Sequence, residues 1–149
     1  MIQAQRSADI KATPEAVWGE LSRFMDLADI APLVASVDAL SEASTGLGAK
    51  RRCHFDNGTS LVEEAITWED GRMMEVRMSE MDAMPLHEGV AKIMVEPSGI
   101  NHCRVIWGLN YRVKYGPLGW ILGRTLMKMM MGKVIDGNLK GLADKVAAG

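Results

Sequence analysis

Cysteine is scarce in this sequence, which contains only Cys53 and Cys103 among its 149 residues. Neither belongs to a Cys-x-x-Cys motif or has the Cys/His spacing of a metal site, so no zinc or redox centre is expected. Both fall in predicted strands, and we expect two buried free thiols. The sequence also has no Gly-x-Ser-x-Gly, His-Glu-x-x-His or phosphate-loop motif, which argues against hydrolase, metalloenzyme and nucleotide-binding functions.

Long apolar runs and a strong net charge are missing too. The longest apolar stretch, 117–131, is interrupted by Arg124 and Lys128, and no N-terminal segment resembles a signal peptide. The formal net charge of -2 provides no general argument for nucleic-acid binding, which usually requires a basic domain. We therefore expect one soluble, cytoplasmic domain over residues 1–149, a monomer or homodimer without metal or cofactor.

The hydrophobic pattern predicts one strand followed by helices. Residues 2–10 alternate as in a half-buried strand. Thr13 is a good N-cap and Pro14 suits the first helical position, which predicts a helix to about Phe24. A short second helix is expected over 26–31, ended by Pro32.

From about residue 36 to residue 113 the sequence predicts an antiparallel sheet of hairpins. The strands are separated by the turn signals Thr45-Gly46, Asn57-Gly58, Asp70-Gly71, Met84-Pro85 and Pro97-Ser98-Gly99. After Tyr115-Gly116-Pro117 apolar residues recur at helical spacing, which predicts a long C-terminal helix. Its interior glycines favour close packing, room for a ligand, or a break near Gly132 or Gly137.

The Asn57-Gly58 dipeptide is the strongest hairpin signal in the chain. A two-residue type I′ turn at this point would pair Arg51 with Glu64, Arg52 with Glu63, and Cys53 with Val62. Arg51 and Glu64 would then lie among apolar neighbours, where they could orient the polar group of a ligand. The alternative is an ion pair that serves only the register of the sheet.

The following turn, at 69–71, can close a two-residue or a three-residue loop. We favour the three-residue loop with Gly71 in the left-handed conformation, because it keeps one face of the hairpin apolar. The expected pairs are Ile66 with Met74, Glu64 with Val76, and Val62 with Met78. The two-residue alternative would pair Ile66 with Glu75 and Glu64 with Arg77.

A curved antiparallel sheet around one long helix, with two short helices after the first strand, resembles the helix-grip fold of the START-like (Bet v 1-like) polyketide cyclase and lipid-transfer superfamily. The residues that carry the resemblance are Thr13-Pro14-Glu15-Ala16-Val17-Trp18, Gly48-Ala49-Lys50-Arg51, an acid at Glu63 or Glu64, Val105-Ile106-Trp107 and Gly141-Leu142. The resemblance implies an α+β fold of about seven strands over the whole chain.

This fold implies a cavity between the concave sheet and the C-terminal helix. The expected ligand-binding residues are Arg51, Cys53, Phe55, Glu64, Ile66, Met74, Val76, Met78, Trp107, Tyr111, Leu122, Leu126 and Met130. Methionine side chains adapt to irregular ligands, although core packing explains them equally well. The three histidines form no recognisable catalytic or metal-binding arrangement. Weak candidates for catalysis are Arg51, Glu64, His87 and Tyr111, whose side chains could stabilise charge or move protons.

The expected function is binding or transport of a small hydrophobic ligand such as a lipid, a quinone or an aromatic polyketide. The alternative is a polyketide aromatase/cyclase or dehydratase that acts in the same cavity. A third possibility within the superfamily is a protein-interaction module, which would need a large exposed apolar patch.

One interval is unusually basic. No acidic residue occurs between Glu96 and Asp136, whereas six basic residues do. The segment 112–133 is therefore a candidate for weak contact with an anionic membrane, with Trp120, Ile121 and Leu122 at its surface. The simpler alternative is an ordinary basic helix face.

Overall fold

The structure is a computed structural model that describes residues 2–81, 86–114 and 116–148, without the side chains of residues 119, 120, 122 and 123. Its strands are β1 (Ile2–Ile10), β2 (Val34–Ala39), β3 (Lys50–Phe55), β4 (Ser60–Glu69), β5 (Met73–Ser79), β6 (Leu86–Gly99) and β7 (His102–Val113). The helices are α1 (Pro14–Leu21), α2 (Gly116–Leu122) and α3 (Lys128–Ala148), with a 3₁₀ segment (Phe24–Asp29) after α1 and a π segment (Gly123–Met127) between α2 and α3.

The seven strands form one antiparallel sheet in the order β1-β7-β6-β5-β4-β3-β2. Its concave face packs against the helices, with α3 mainly over β1 and α1 over one end of β6. The predicted helix-grip fold is confirmed. In the described part of the chain, no helix combines the length and the hydropathy needed to cross a bilayer.

The first helix begins as predicted and ends earlier. The Thr13 hydroxyl accepts a hydrogen bond from the Ala16 backbone N–H at 3.2 Å, and Pro14 occupies the first turn. The helix stops at Leu21 rather than Phe24, and the 3₁₀ segment replaces the short helix expected over 26–31.

The register predicted for the β3–β4 hairpin is wrong by one residue. Asp56, Asn57 and Gly58 form a three-residue loop, and Gly58 adopts a positive φ of 86°. The Asn57 side chain accepts hydrogen bonds from the backbone N–H and the hydroxyl of Thr59, which favours this loop over a type I′ turn. The observed pairs are Arg51 with Glu63, Arg52 with Val62, and Cys53 with Leu61.

The β4–β5 turn has three residues, as predicted, but lies one position later. Residues 70–72 form the loop, and Gly71 has a positive φ of 80°. A β-bulge between Ala65 and Thr67 then places Glu64 opposite Arg77, which is the pair expected for the rejected alternative.

The C-terminal helix is continuous at the glycines where a break was considered. Helix α3 runs through Gly132 and Gly137, and the irregularity lies upstream, in the π segment. A π turn inserts an extra residue and shifts the phase of the helix that follows. The buried residues of α3 are accordingly Met131, Gly132, Ile135, Leu139 and Leu142.

Candidate functional site

Three cross-strand rows of residues form the centre of the concave face. The first row is Glu63, Met78, Gly89, Tyr111 and Ile2; the second is Ala65, Val76, Ala91, Leu109 and Ala4; the third is Trp68, Met74, Ile93, Trp107 and Arg6. Most of these side chains are buried and apolar. Among the predicted ligand-binding residues, Met74, Val76, Met78, Trp107 and Tyr111 therefore lie in these rows.

Arg51 is the only charged residue that is buried among those the structure describes. Its Nε and Nη2 atoms lie 2.9 Å and 2.8 Å from Oε1 of Glu63, whose side chain is 12% exposed. Its Nη1 donates to the backbone carbonyl of Phe24, and its Cζ lies 3.7 Å from the centroid of the Phe24 ring. The guanidinium thus connects β4 of the sheet to the 3₁₀ segment in the helical layer.

The burial of this pair requires that its polar atoms be satisfied. A desolvated charge without a partner is strongly destabilising, whereas a paired and hydrogen-bonded charge is tolerated. Arg51 meets that requirement with a carboxylate, a carbonyl and an aromatic ring. The contacts on Glu63 all involve Oε1, which also accepts a hydrogen bond from the Cys53 thiol at 3.2 Å.

An aromatic cluster packs beside the ion pair. The rings of Trp18 and Trp68 meet edge to face with centroids 5.4 Å apart, and Phe24 meets Trp68 in the same manner at 6.4 Å. The Trp18 indole N–H donates to Oδ1 of Asp70 at 2.9 Å. The cluster holds α1 and the 3₁₀ segment against the β4–β5 hairpin.

Burial favours the protonated forms of the Cys53 thiol beside the ion pair and of the Tyr111 phenol three strands away. Removal from water raises the pKa of the Cys53 thiol far above its ordinary value, and the Glu63 carboxylate raises it further. Burial likewise raises the pKa of Tyr111. Because the thiolate is the reactive form of cysteine, Cys53 is not an activated nucleophile.

Several predicted site residues lie elsewhere. Glu64 is opposite Lys50 and Arg77, on the face of the sheet away from Arg51, so the predicted Arg51–Glu64 pair is wrong. A one-residue slip of register moves a side chain to the other face, and Glu63 takes the inward position. His87 is exposed at the start of β6.

The remaining predicted ligand-binding residues differ in how far they are buried. Cys53 is buried, whereas Phe55 and Ile66 are half-buried and Ile66 lies at the bulge of β4. Leu126 and Met130 are about half exposed, and their neighbours Met127 and Met131 are buried in their place. The side chain of Leu122 lies outside the described residues.

Sequence reasoning missed Glu63 and Phe24 as partners of Arg51. The signal for Glu63 was present, because a three-residue loop with Gly58 in the left-handed conformation pairs Arg51 with the first acid of Glu63-Glu64. Nothing in the local pattern indicates that the Phe24 carbonyl approaches the sheet.

The surface of the described part of the chain includes the following clefts. One, of about 490 Å³, lies between the start of α1 and β6 and is lined by Pro14, Arg72 and Met94, among others. The other, of about 350 Å³, lies between the 3₁₀ segment and α3. Neither is the predicted cavity between the concave face and the C-terminal helix, which stays a prediction. No three His, Cys, Asp or Glu residues of the described ranges are placed to hold a metal ion.

The sheet, its helical grip and the apolar concave face define a START-like protein. The chain belongs to the family described as polyketide cyclase/dehydrase and lipid transport, whose model matches residues 1–147. No curated protein matches the chain.

Solved structures share the fold at low sequence identity. The ZhuI aromatase/cyclase from Streptomyces sp. R1128 is 14% identical with a TM-score of 0.81, over 97% of this chain and 93% of that one. A START superfamily protein from Mycobacterium smegmatis is 12% identical with a TM-score of 0.80, over 98% and 97%. A protein of Thermus thermophilus is 21% identical with a TM-score of 0.80, over 98% and 97%.

Proposed function

We propose that this protein binds a small, mainly apolar molecule with one hydrogen-bonding end against its concave face. The observation that carries the proposal is the Arg51–Glu63 ion pair, buried at one end of a surface that is otherwise mainly apolar. An apolar wall supplies affinity through burial, at about 25 cal/mol per Å², and a few polar groups orient the ligand. Lipids, quinones and aromatic polyketides have this character.

The ion pair favours Glu63 over Arg51 as the group that meets the ligand. The Arg51 guanidinium is enclosed by Glu63 and Phe24, whereas the contacts on Glu63 leave its second oxygen, Oε2, for another donor. Arg51 then acts as a positioning residue that holds the carboxylate. A ligand hydroxyl or phenol is the complementary group.

Tyr111 provides a second polar position in the same cross-strand row. Met78 and Gly89 lie between it and Glu63, so three strand spacings separate the two residues, about 14 Å. Gly89 has no side chain, and Met78 extends over it, with its Cε 2.6 Å from where a Cβ of residue 89 would lie. The flexible thioether between the two polar groups is suited to adjust to ligands of different shape.

Catalysis as a cyclase or dehydratase has less support in the geometry. That chemistry requires an acid or base beside the bound chain. Of the four candidates, Glu64 lies on the far face and His87 is exposed, while burial raises the pKa of Tyr111. None of these three predicted candidates is therefore placed to act as an acid or base beside Arg51.

Native mass spectrometry of the purified protein, with identification of released molecules, tests for a bound ligand directly. Thermal denaturation with oleyl alcohol, 2-naphthol or 2-hydroxyanthraquinone tests binding in solution, because each of these apolar compounds has one hydroxyl that can donate to Glu63. We expect at least one of the three to raise the Tm. Glu63→Gln and Tyr111→Phe should each reduce that increase, measured against the variant's own ligand-free Tm.

Glu64→Gln is the matched control, because Glu64 is adjacent in sequence and lies on the opposite face. It should keep the increase seen for the unmodified chain. An empty protein in native spectra together with no change of Tm for all three compounds would refute the proposal. An equal loss in Glu64→Gln and Glu63→Gln would refute the assigned role of Glu63.

A further inference from the structure

Five large apolar side chains are exposed within one short helical stretch. Among the described residues, nine large hydrophobic side chains are exposed, and five of them belong to α2, the π segment and the first turn of α3. They are Leu118, Ile121, Leu126, Met129 and Met130. We call this set the apolar stripe. Only Met127 is buried among the described side chains of 116–130.

The π segment aligns these side chains. Ile121 and Leu126 are five residues apart, which corresponds to about 140° around an α-helix. In a π-helix, hydrogen bonds join residues five apart, so the two positions come close to one side. Leu118 precedes Ile121 by three residues, and Met129 follows Leu126 by three, spacings at which helical neighbours share a face.

Every charged residue in the sequence from 116 to 135 is basic. Arg124 and Lys128 are exposed between members of the stripe, and Lys133 is exposed one turn beyond it. No acidic residue occurs from 97 to 135. A second copy of the chain in a symmetric contact would bring these like charges together, which is unfavourable.

We propose that the apolar stripe, with Arg124, Lys128 and Lys133, docks on the surface of an anionic lipid membrane. Aliphatic and thioether side chains insert at the boundary between headgroups and acyl chains, and each basic residue near the surface adds attraction to anionic lipid. Exposed apolar and basic side chains alternate along this helical stretch, a combination typical of helices that lie on an anionic membrane surface. The proposal does not depend on the ligand proposed above.

Co-sedimentation with vesicles tests this surface. The probes are vesicles of phosphatidylcholine alone and of phosphatidylcholine with about one-third phosphatidylglycerol, each at low and high salt. We expect binding to the anionic vesicles at low salt and release at high salt. Ile121→Asp and Lys128→Glu should each weaken binding about tenfold or more.

Ile100→Asp is the matched control. Ile100 is 90% exposed at the β6–β7 turn, whereas Ile121 is 55% exposed beyond the other end of β7. The same substitution is thus made at two exposed isoleucines, and only the one in the stripe should reduce vesicle binding. Circular dichroism verifies that each variant is folded.

Three results would overturn the proposal. The first is an unmodified protein that stays in the supernatant with anionic vesicles at low salt. The second is an equal loss of binding in Ile121→Asp and Ile100→Asp. The third is a dimer, detected by analytical ultracentrifugation, that Ile121→Asp dissociates, because the stripe would then contact a second copy. Loss of vesicle binding with an unchanged ligand-induced Tm increase would leave the proposed function intact.

Discussion

Gly141 of α3 lies directly against the backbone of Ile30, and a Cβ at position 141 would overlap the Ile30 carbonyl oxygen. The helix therefore approaches the end of the 3₁₀ segment as closely as a glycine allows. Gly132 permits a second close approach, where the Arg6 guanidinium lies over the helix backbone. The two contacts differ, because a carbonyl in the main chain cannot move aside as a flexible side chain can.

Gly141→Ala should destabilise the protein by about 2 kcal/mol or more, since the overlap involves backbone and exceeds the gain in helix propensity. Gly137→Ala is the control on the same helix. A Cβ there meets Pro32 at an ordinary 3.7 Å, so the substitution should be neutral or stabilise by about 0.5–1 kcal/mol. Urea denaturation measures both. Equal stabilities for the two variants would contradict the packing described.

Glu63→Gln should destabilise the fold by about 3 kcal/mol, because it leaves the buried Arg51 charge without its carboxylate. Glu64→Gln should change stability by less than about 0.5 kcal/mol, since Glu64 is on the other face and only half-buried. The comparison uses denaturant unfolding at neutral pH. A larger loss of stability in Glu64→Gln than in Glu63→Gln would instead support the register expected from a two-residue turn at Asn57-Gly58.

Stability should fall as the pH rises through the ordinary thiol pKa of 9.0. In the unfolded chain Cys53 ionises near that pH, whereas in the folded chain burial raises its pKa and the thiol stays protonated. The folded state then binds more protons than the unfolded state, so the free energy of unfolding decreases with pH. Each such group contributes a slope of at most about 1.4 kcal/mol per pH unit.

Cys53→Ala should make this alkaline decline shallower, in denaturant unfolding measured between about pH 8 and pH 10. Val62→Ala is the control, because Val62 is buried and has no titratable group. Its stability curve should run parallel to that of the unmodified chain. A Cys53→Ala curve that is also parallel would show that the thiol does not contribute to the pH dependence.

Much of the architecture could be predicted from the sequence. The alternation in β1, β5 and β7, the Thr13-Pro14 helix start and the helical period after residue 117 are local signals, and local signals largely determine the element type. Alternation alone places the side chains of Met78 and Tyr111 on the inner face of the sheet, but it does not predict the row that they share. The order of these elements resembles that of the START-like superfamily, and the resemblance implied the helix-grip arrangement.

The partner of Arg51 and the phase of the last helix were decided by tertiary structure. The Asn57-Gly58 dipeptide is compatible with loops of two or three residues, and a difference of one residue exchanges Glu64 for Glu63 at the inner face. Likewise, the π segment moves Met127 and Met131 into the core positions expected for Leu126 and Met130.

The sequence by itself determined which residues alternate, where helices begin and which segments are apolar, because these depend on neighbours along the chain. Only the folded structure decided that the Phe24 carbonyl meets Arg51 and that Gly141 meets Ile30. These contacts join segments far apart in sequence, and their geometry depends on how the helical layer packs against the sheet.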